Sequence, residues 1–215
     1  MKLYVKNARL SFTQSLFEAQ AGPQGGKVKF SVAVIVEPSS LGYAGEANPD
    51  SAAGKAAGLK YGPFLEAASK AITDAAGKKW GPKSGEVVQS MKAQNRLFLH
   101  DGAEKESIPG YAGNKFFNAN NEIRPVIRHK NGAQLDAKDG VIYAGCYADV
   151  VVDVWPQDNQ FGKRINASLL SVTFSHDGER LAGGSTASAD DYAEIPAEQQ
   201  AAAVATGQGA ASLFN

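Results

Sequence analysis

The chain has 215 residues with 22 basic and 22 acidic side chains, and its single cysteine, Cys146, excludes an internal disulfide. No run of about 18 apolar residues offers a bilayer-crossing helix. The N-terminal MKLYVKNARLSF alternates polar and apolar residues and has no apolar signal-peptide core. These features predict a soluble cytoplasmic protein. Charge is unevenly spread: the last basic residue is Arg180, and Asp190, Asp191, Glu194 and Glu198 follow it. A basic body with an acidic end suggests an electrostatic footprint and an interaction tail.

In chain order, Lys2–Phe12 is a first strand. KVKFSVAVIVEP is a second, with Val28, Phe30, Val32, Val34 and Val36 at one parity. Residues 39–62, rich in Gly, Ala, Ser and Pro, are expected to form a mobile loop. Pro63 then suits a first helical position, Leu65, Ala68, Ile72 and Ala76 follow at helical spacing, and Gly77 is a candidate terminator. Further strands are expected at 96–99 and 116–129. In YAGCYADVVVDVW, Cys146, Ala148, Val150, Val152 and Val154 form an apolar face, and RINASLLSVTF is the last strand. Asn-Gly and Asp-Gly dipeptides punctuate these runs. The expectation is a mainly β domain over 1–184 and an acidic, Ala/Gly-rich flexible tail over 185–215.

Catalytic chemistry finds little support. His100, His129 and His176 show no metal-ligand spacing. Cys146 lies at a core-facing parity, unlike a reactive thiol. A phosphate loop ending in Gly54-Lys55 would need glycine where Pro49 stands and Ser or Thr where Ala56 stands. Asp149 and Asp153 share a strand face with no third acidic partner and read as solvated residues. No enzyme activity, catalytic residue, metal or cofactor is expected.

Cations interleaved with aromatics point instead to single-stranded nucleic acid, whose phosphates need positive charge and whose bases stack on aromatic planes. GKKWGPKSG places Lys78, Lys79 and Lys83 around Trp80, which serves either as a base platform or as an anchor on the barrel. Strand parity over FFNANNEIRPVIRHK puts Phe116, Arg124, Arg128 and Lys130 on one face, with Phe117, Ile123 and Ile127 facing the core. Lys27, Lys29, Arg96, Tyr111, Lys115, Phe161, Lys163 and Arg164 complete the candidate DNA-binding set.

The ordered motifs PFLEAASKAITDAAGKKWG, LFLHDGAEK, YAGNKFFNANNEIRPVI, IYAGCYADVVVDVW, FGKRINASLLSVTF and HDGERLAGG span Pro63 to Gly184. In this order they resemble a family of phage single-stranded-DNA-binding proteins with an OB fold. The resemblance implies a five-stranded Greek-key barrel with extra strands and one main helix, binding DNA across its concave face. It points to the lysine–tryptophan loop, the strand around Phe116–Arg128 and the loop ending at Lys163. It also implies a protein that coats single-stranded DNA in phage replication or recombination, inside the bacterial host. Family members usually end in an acidic tail with a hydrophobic tip that recruits replication proteins. Here Leu213 and Phe214 supply the tip, while the acids lie upstream. A homodimer is the expected assembly. The alternatives are a β-rich phage assembly protein and a double-stranded-DNA binder.

Overall fold

The computed structural model describes residues 1–22 and 25–181; the expected acidic tail over 185–215 lies outside the described residues. In chain order the elements are β1 (Lys2–Ser11), β2 (Gln20–Gly22), β3 (Gly25–Val36), β4 (Leu41–Ala44), α1 (Ala52–Ala56), β5 (Gly62–Pro63), α2 (Phe64–Trp80) and α3 (Ser84–Ala93). There follow β6 (Leu99–Asp101), β7 (Lys115–Asn121), β8 (Val126–His129), β9 (Tyr147–Asn159) and β10 (Gly162–His176).

Five strands close into a ring. β1 pairs antiparallel with β3 and β9, β3 with β7, and β9 with β10, while β7 and β10 meet in parallel at Asn120 and Ser168. Closure removes the exposed edges that an open sheet would offer. The period of two then has a direct consequence: one side of every strand fills the barrel. Val5, Leu10, Val34, Phe117, Val150, Val152 and Leu169 are all essentially inaccessible. Cys146, Ala148 and Val154 continue the same face, as their parity predicted, and burial pushes the Cys146 thiol pKa up. The mainly β barrel with one main helix matches the expected fold class.

β1 can serve three partners because it bends. Asn7 adopts a left-handed conformation (φ 55°), and the register with β9 shifts between Val5 and Ala8. The residues before the bulge pair with β4 and those after it pair with β3. Asn tolerates left-handed backbone better than branched residues do. The bulge is also tied down: Asn7 N–H donates to Asp149 Oδ1 at 3.1 Å, and Ser40 Oγ donates to the Asn7 carbonyl at 2.7 Å. Asp149 is thus a structural acceptor, while Asp153 takes the Met1 ammonium at 2.7 Å.

α2 covers one end of the barrel. Its buried stripe is mostly alanine (Ala67, Ala68, Ala71, Ala75, Ala76), with Phe64 and Ile72. Small side chains let the helix approach β4 so closely that a Cβ on Gly42 would lie 2.8 Å from Ala67 Cβ. Phe64 stacks on Phe117 at 6.1 Å, and Phe98 meets the same ring edge-on at 5.4 Å.

Several expectations need correction. Pro63 precedes the helix as its cap, Leu65 is 54% exposed, and the helix passes Gly77 to end at Gly81, whose φ of 55° suits a glycine. Residues 39–62 are not an irregular loop: they hold β4, α1 and the first residue of β5. Ser51 caps α1 by accepting from Gly54 N–H at 2.9 Å, and Asp50 binds Lys6 and Tyr61. GPKSG forms a short helical turn that leads into α3 rather than the loop expected around Trp80.

The bulge gives a stability test. Asn7→Val places a β-branched residue in left-handed backbone and is expected to cost about 1–2 kcal/mol, whereas Asn7→Gly stays close to the parent. Urea unfolding of the two variants checks this ordering.

Candidate nucleic-acid interface

The outer side of β3 and β7 is set by the same alternation that fills the barrel. Where Val32 and Val34 point inward, Lys29, Ser31 and Ala33 line the outer wall. Register pairs Ser31 with Asn120 and Ala33 with Asn118, so two exposed amides stand beside them. These residues floor a groove of about 650 Å3, walled by Phe12, Ser15 and Gln20 from the β1–β3 connection, by Lys27, and by Lys105.

Phe12 is the unusual member. It follows β1 in left-handed backbone (φ 51°) yet keeps 49% of its surface exposed. A bulky non-glycine residue in this region is strained, and such strain collects at functional positions. The Lys105 ammonium lies 5.4 Å from the Phe12 ring centre, 4.6 Å from that of Phe116 and 5.2 Å from that of Tyr111. Burial lowers the Lys105 pKa below the ordinary lysine range, opposed in part by the Glu104 charge. A cation held among aromatic rings at a groove rim is a pre-positioned partner for an anion that brings planar groups with it.

Beneath this rim lies a small second core on the outside of the barrel. Ala33, Ile35, Tyr111 and Phe116 form it, with Ile108 and Leu181 packed against them. Tyr111 (0% exposed) and Phe116 (2%) are therefore not free stacking platforms, contrary to expectation. Phe116 does point away from the barrel interior, as its parity required. What parity could not show is that residues 102–114 fold over that face. Tyr111 meets Phe116 edge-on at 5.0 Å, and His100 stacks on it at 5.4 Å. Lys115 is engaged by Asp101.

The β9–β10 hairpin gathers a second set. Phe161 at its tip is 72% exposed, its N–H held by Asn159 Oδ1 at 3.0 Å. Trp80 is an anchor: it packs on the barrel core, and its indole N–H donates to Asp158 Oδ2 at 2.8 Å. Lys163 lies 5.9 Å from the Trp80 ring and 3.8 Å from Asp158. The Arg96 guanidinium covers Gly162 so closely that a Cβ there would clash with it. Lys78 and Lys79 occupy the last turn of α2, where cations complement the helix dipole. Lys83 and Arg164 are exposed nearby in sequence to this set.

The third set is divided. The strand expected over 116–129 breaks at 122–125, so Phe116 and Arg128 do not share one strand face. Ile123, expected inside, is 75% exposed, whereas Ile127 is buried as expected. Arg124 pairs with Asp136 at 2.8 Å. Arg128 and Lys130 lie on another groove, away from Phe12. A cleft of about 400 Å3 between α2 and α3 contains one cation, Lys92, and no aromatic ring, which suits nucleic acid poorly. Among the described residues no group of three or more His, Cys, Asp and Glu side chains could hold a metal ion, and no helix is long and apolar enough to cross a membrane.

Comparison with known proteins supplies the family. A family model described as the Enterobacter phage Enc34 ssDNA-binding protein matches residues 1–202. The chain belongs to this Enc34 ssDNA-binding protein family. Protein p50 of Acyrthosiphon pisum secondary endosymbiont phage 1 is 31% identical over 197 residues, covering 91% of this chain and 94% of p50. The single-stranded-DNA-binding protein of bacteriophage Enc34, solved in complex with ssDNA, superposes with a TM-score of 0.61 at 22% identity, over 84% of this chain and 89% of that one. Another structure of the Enc34 protein gives a TM-score of 0.58 at 22% identity, over 89% of each chain. These superpositions place the Enc34-family fold on this chain.

Phe12, Lys105, Asn118 and Asn120 are the groove residues that sequence reasoning passed over. Phe12 reads as the end of a strand, and nothing local marks Lys105 as its neighbour 93 positions later. The Lys105 environment is directly testable. Its ammonium is expected to titrate below the unperturbed lysine value of about 10.4, followed by NMR of selectively labelled lysine. A midpoint at or above that value would contradict the half-buried, ring-flanked placement.

Proposed function

We propose that this chain is a phage single-stranded-DNA-binding protein that holds the strand in the outer β3–β7 groove, with little sequence preference. The observation carrying the reading is the groove itself, in a member of the Enc34 family: Phe12 as an exposed aromatic, Lys27, Lys29 and Lys105 as cations, and amides on the floor. Phosphates are drawn in by the lysines, and a base stacks on Phe12. Phe161 provides a second platform at the β9–β10 tip. The role is one of binding, not catalysis.

The strand order supports an OB-type description. β1, β3, β7, β10 and β9 form the five-stranded ring, and OB folds bind oligonucleotides on the face of their second and third strands, flanked by the first and last connections. Here those strands are β3 and β7, and the flanking connections carry Phe12 and Phe161. We place the activity in coating DNA during phage replication or recombination, within the cytoplasm of the bacterial host.

Fluorescence titration with dT oligomers tests the reading. Affinity is expected to fall with salt at a slope of about −0.7 per phosphate contacted, and a duplex competitor is expected to displace the strand poorly. Phe12→Ala and Phe161→Ala should each weaken binding by roughly 1–3 kcal/mol, the worth of one stacked base. No binding at low salt, or no effect of Phe12→Ala, would overturn it. The lowered Lys105 pKa adds a pH dependence with a fixed sign. Protonated Lys105 attracts phosphate, so affinity falls as pH rises through the lowered Lys105 titration, and Lys105→Arg, which stays charged, removes that early part of the loss.

A further inference from the structure

A second polar groove lies on the outer wall formed by β1, β8, β9 and β10. It measures about 490 Å3, and its lining includes Lys6, Lys55, Arg128, Lys130, Asp50 and Asp149. Its two carboxylates are already committed. Asp50 binds the Lys6 ammonium at 2.8 Å and the Tyr61 hydroxyl at 3.1 Å, and Asp149 accepts the Asn7 N–H of the β1 bulge. Lys55, Arg128 and Lys130 have no carboxylate partner among the described residues. Arg128 is held from one side, its Nε donating to Thr173 Oγ1 at 3.2 Å, which orients the guanidinium without neutralising it. The site therefore has surplus positive charge on a fixed framework.

Its position relates it to the first groove. β7 and β8 run successively along β10: Asn120 lies beside Ser168 and Arg128 beside Thr173. At about 3.3 Å per residue these five positions of β10 separate the two by about 16 Å along the barrel wall. Two exposed ion pairs involve the β7–β8 connection: Glu122 with Lys27 of the first groove at 3.0 Å, and Arg124 with Asp136 at 2.8 Å. Exposed pairs contribute only about 0–1 kcal/mol, so a passing phosphate can exchange for either carboxylate at little cost. Tyr61 offers less for stacking than Phe12, since its ring is only partly exposed and its hydroxyl donates to Asp50.

We infer that single-stranded DNA leaving the β3–β7 groove continues over β8 into this second groove, where Lys55, Arg128 and Lys130 bind its phosphates without stacking its bases. This inference rests on the proposed function and extends it from one groove to a track along the barrel wall. Its consequence is a division by length. A short strand fills the first groove alone, and only a longer one engages the second.

The test compares dT oligomers of about 6 and about 16 nucleotides, near the lower end and at the upper end of the roughly 4–16 nucleotides that one OB fold covers. For the full chain, the salt slope is expected to steepen from the short to the long oligomer. Arg128→Glu combined with Lys130→Glu should flatten the long-oligomer slope by about 0.7 for each phosphate no longer neutralised, leaving short-oligomer affinity unchanged. Footprinting of the unaltered protein by lysine acetylation gives a readout independent of variant folding. Lys55 and Lys130 should be protected by the long oligomer and not by the short one. Lys55 and Lys130 equally reactive with and without the long oligomer would overturn the inference, while short-oligomer binding would still uphold the first groove. Failure of both oligomers to bind would instead remove the proposed function on which the inference stands.

Discussion

The structure depends on the bend in β1. A single strand has two hydrogen-bonding edges, yet β1 pairs with β3, β4 and β9. The left-handed Asn7 makes this possible by splitting the strand into two halves with different neighbours on one edge. Closing the ring between β1 and β3 gives the barrel an inside, where alternating valines, leucines and alanines are withdrawn from water. Each large apolar side chain among them contributes on the order of 1–3 kcal/mol by burial. It also gives the barrel an outside whose residues are fixed in register by that packing.

The outside is not uniformly solvent. Residues 102–114 cover part of it and build a second core on Ile35 and Phe116. That cover is what turns a flat strand face into a groove. It raises Lys105 to the rim and fills the space beneath with Tyr111, so that the ammonium sits among rings and is partly desolvated. Gly102 is required at the start of this segment: its Cβ would meet the Tyr111 and Asn114 carbonyls, and its own N–H donates to the Asn114 carbonyl at 2.8 Å. Groove and second core are thus one construction, and a change in Tyr111 or Phe116 would move Lys105.

Charge follows the same logic. The chain has no net charge, so affinity for an anion has to come from placement. On the β3–β7 groove the lining contains three lysines and, among the described residues, no carboxylate. Elsewhere, acids are consumed by structural tasks: Asp149 holds the bulge, Asp158 orients Trp80 and Asp136 caps a short helical turn. Of those three lysines, Lys27 pairs with Glu122 at 3.0 Å, while Lys29 and Lys105 have no ion-pair partner among the described residues.

The sequence by itself determined the inward faces. Strand alternation around Val34, Phe117 and Val150, and the placement of Cys146, follow from a period of two and need no knowledge of neighbours. The ordered motifs from Pro63 to Gly184 likewise carried the family. Tertiary structure alone decided the outward faces, because parity says which way a side chain leaves a strand but not what will be folded over it. Phe116 and Tyr111 therefore read as exposed platforms in the sequence and are buried in the fold, and Trp80 became an anchor only through Asp158, 78 residues away. Phe12 and Lys105 meet across 93 positions, and local pattern holds no signal for such an encounter. Burial is written in the sequence one residue at a time; a binding groove requires long-range packing to set its two walls.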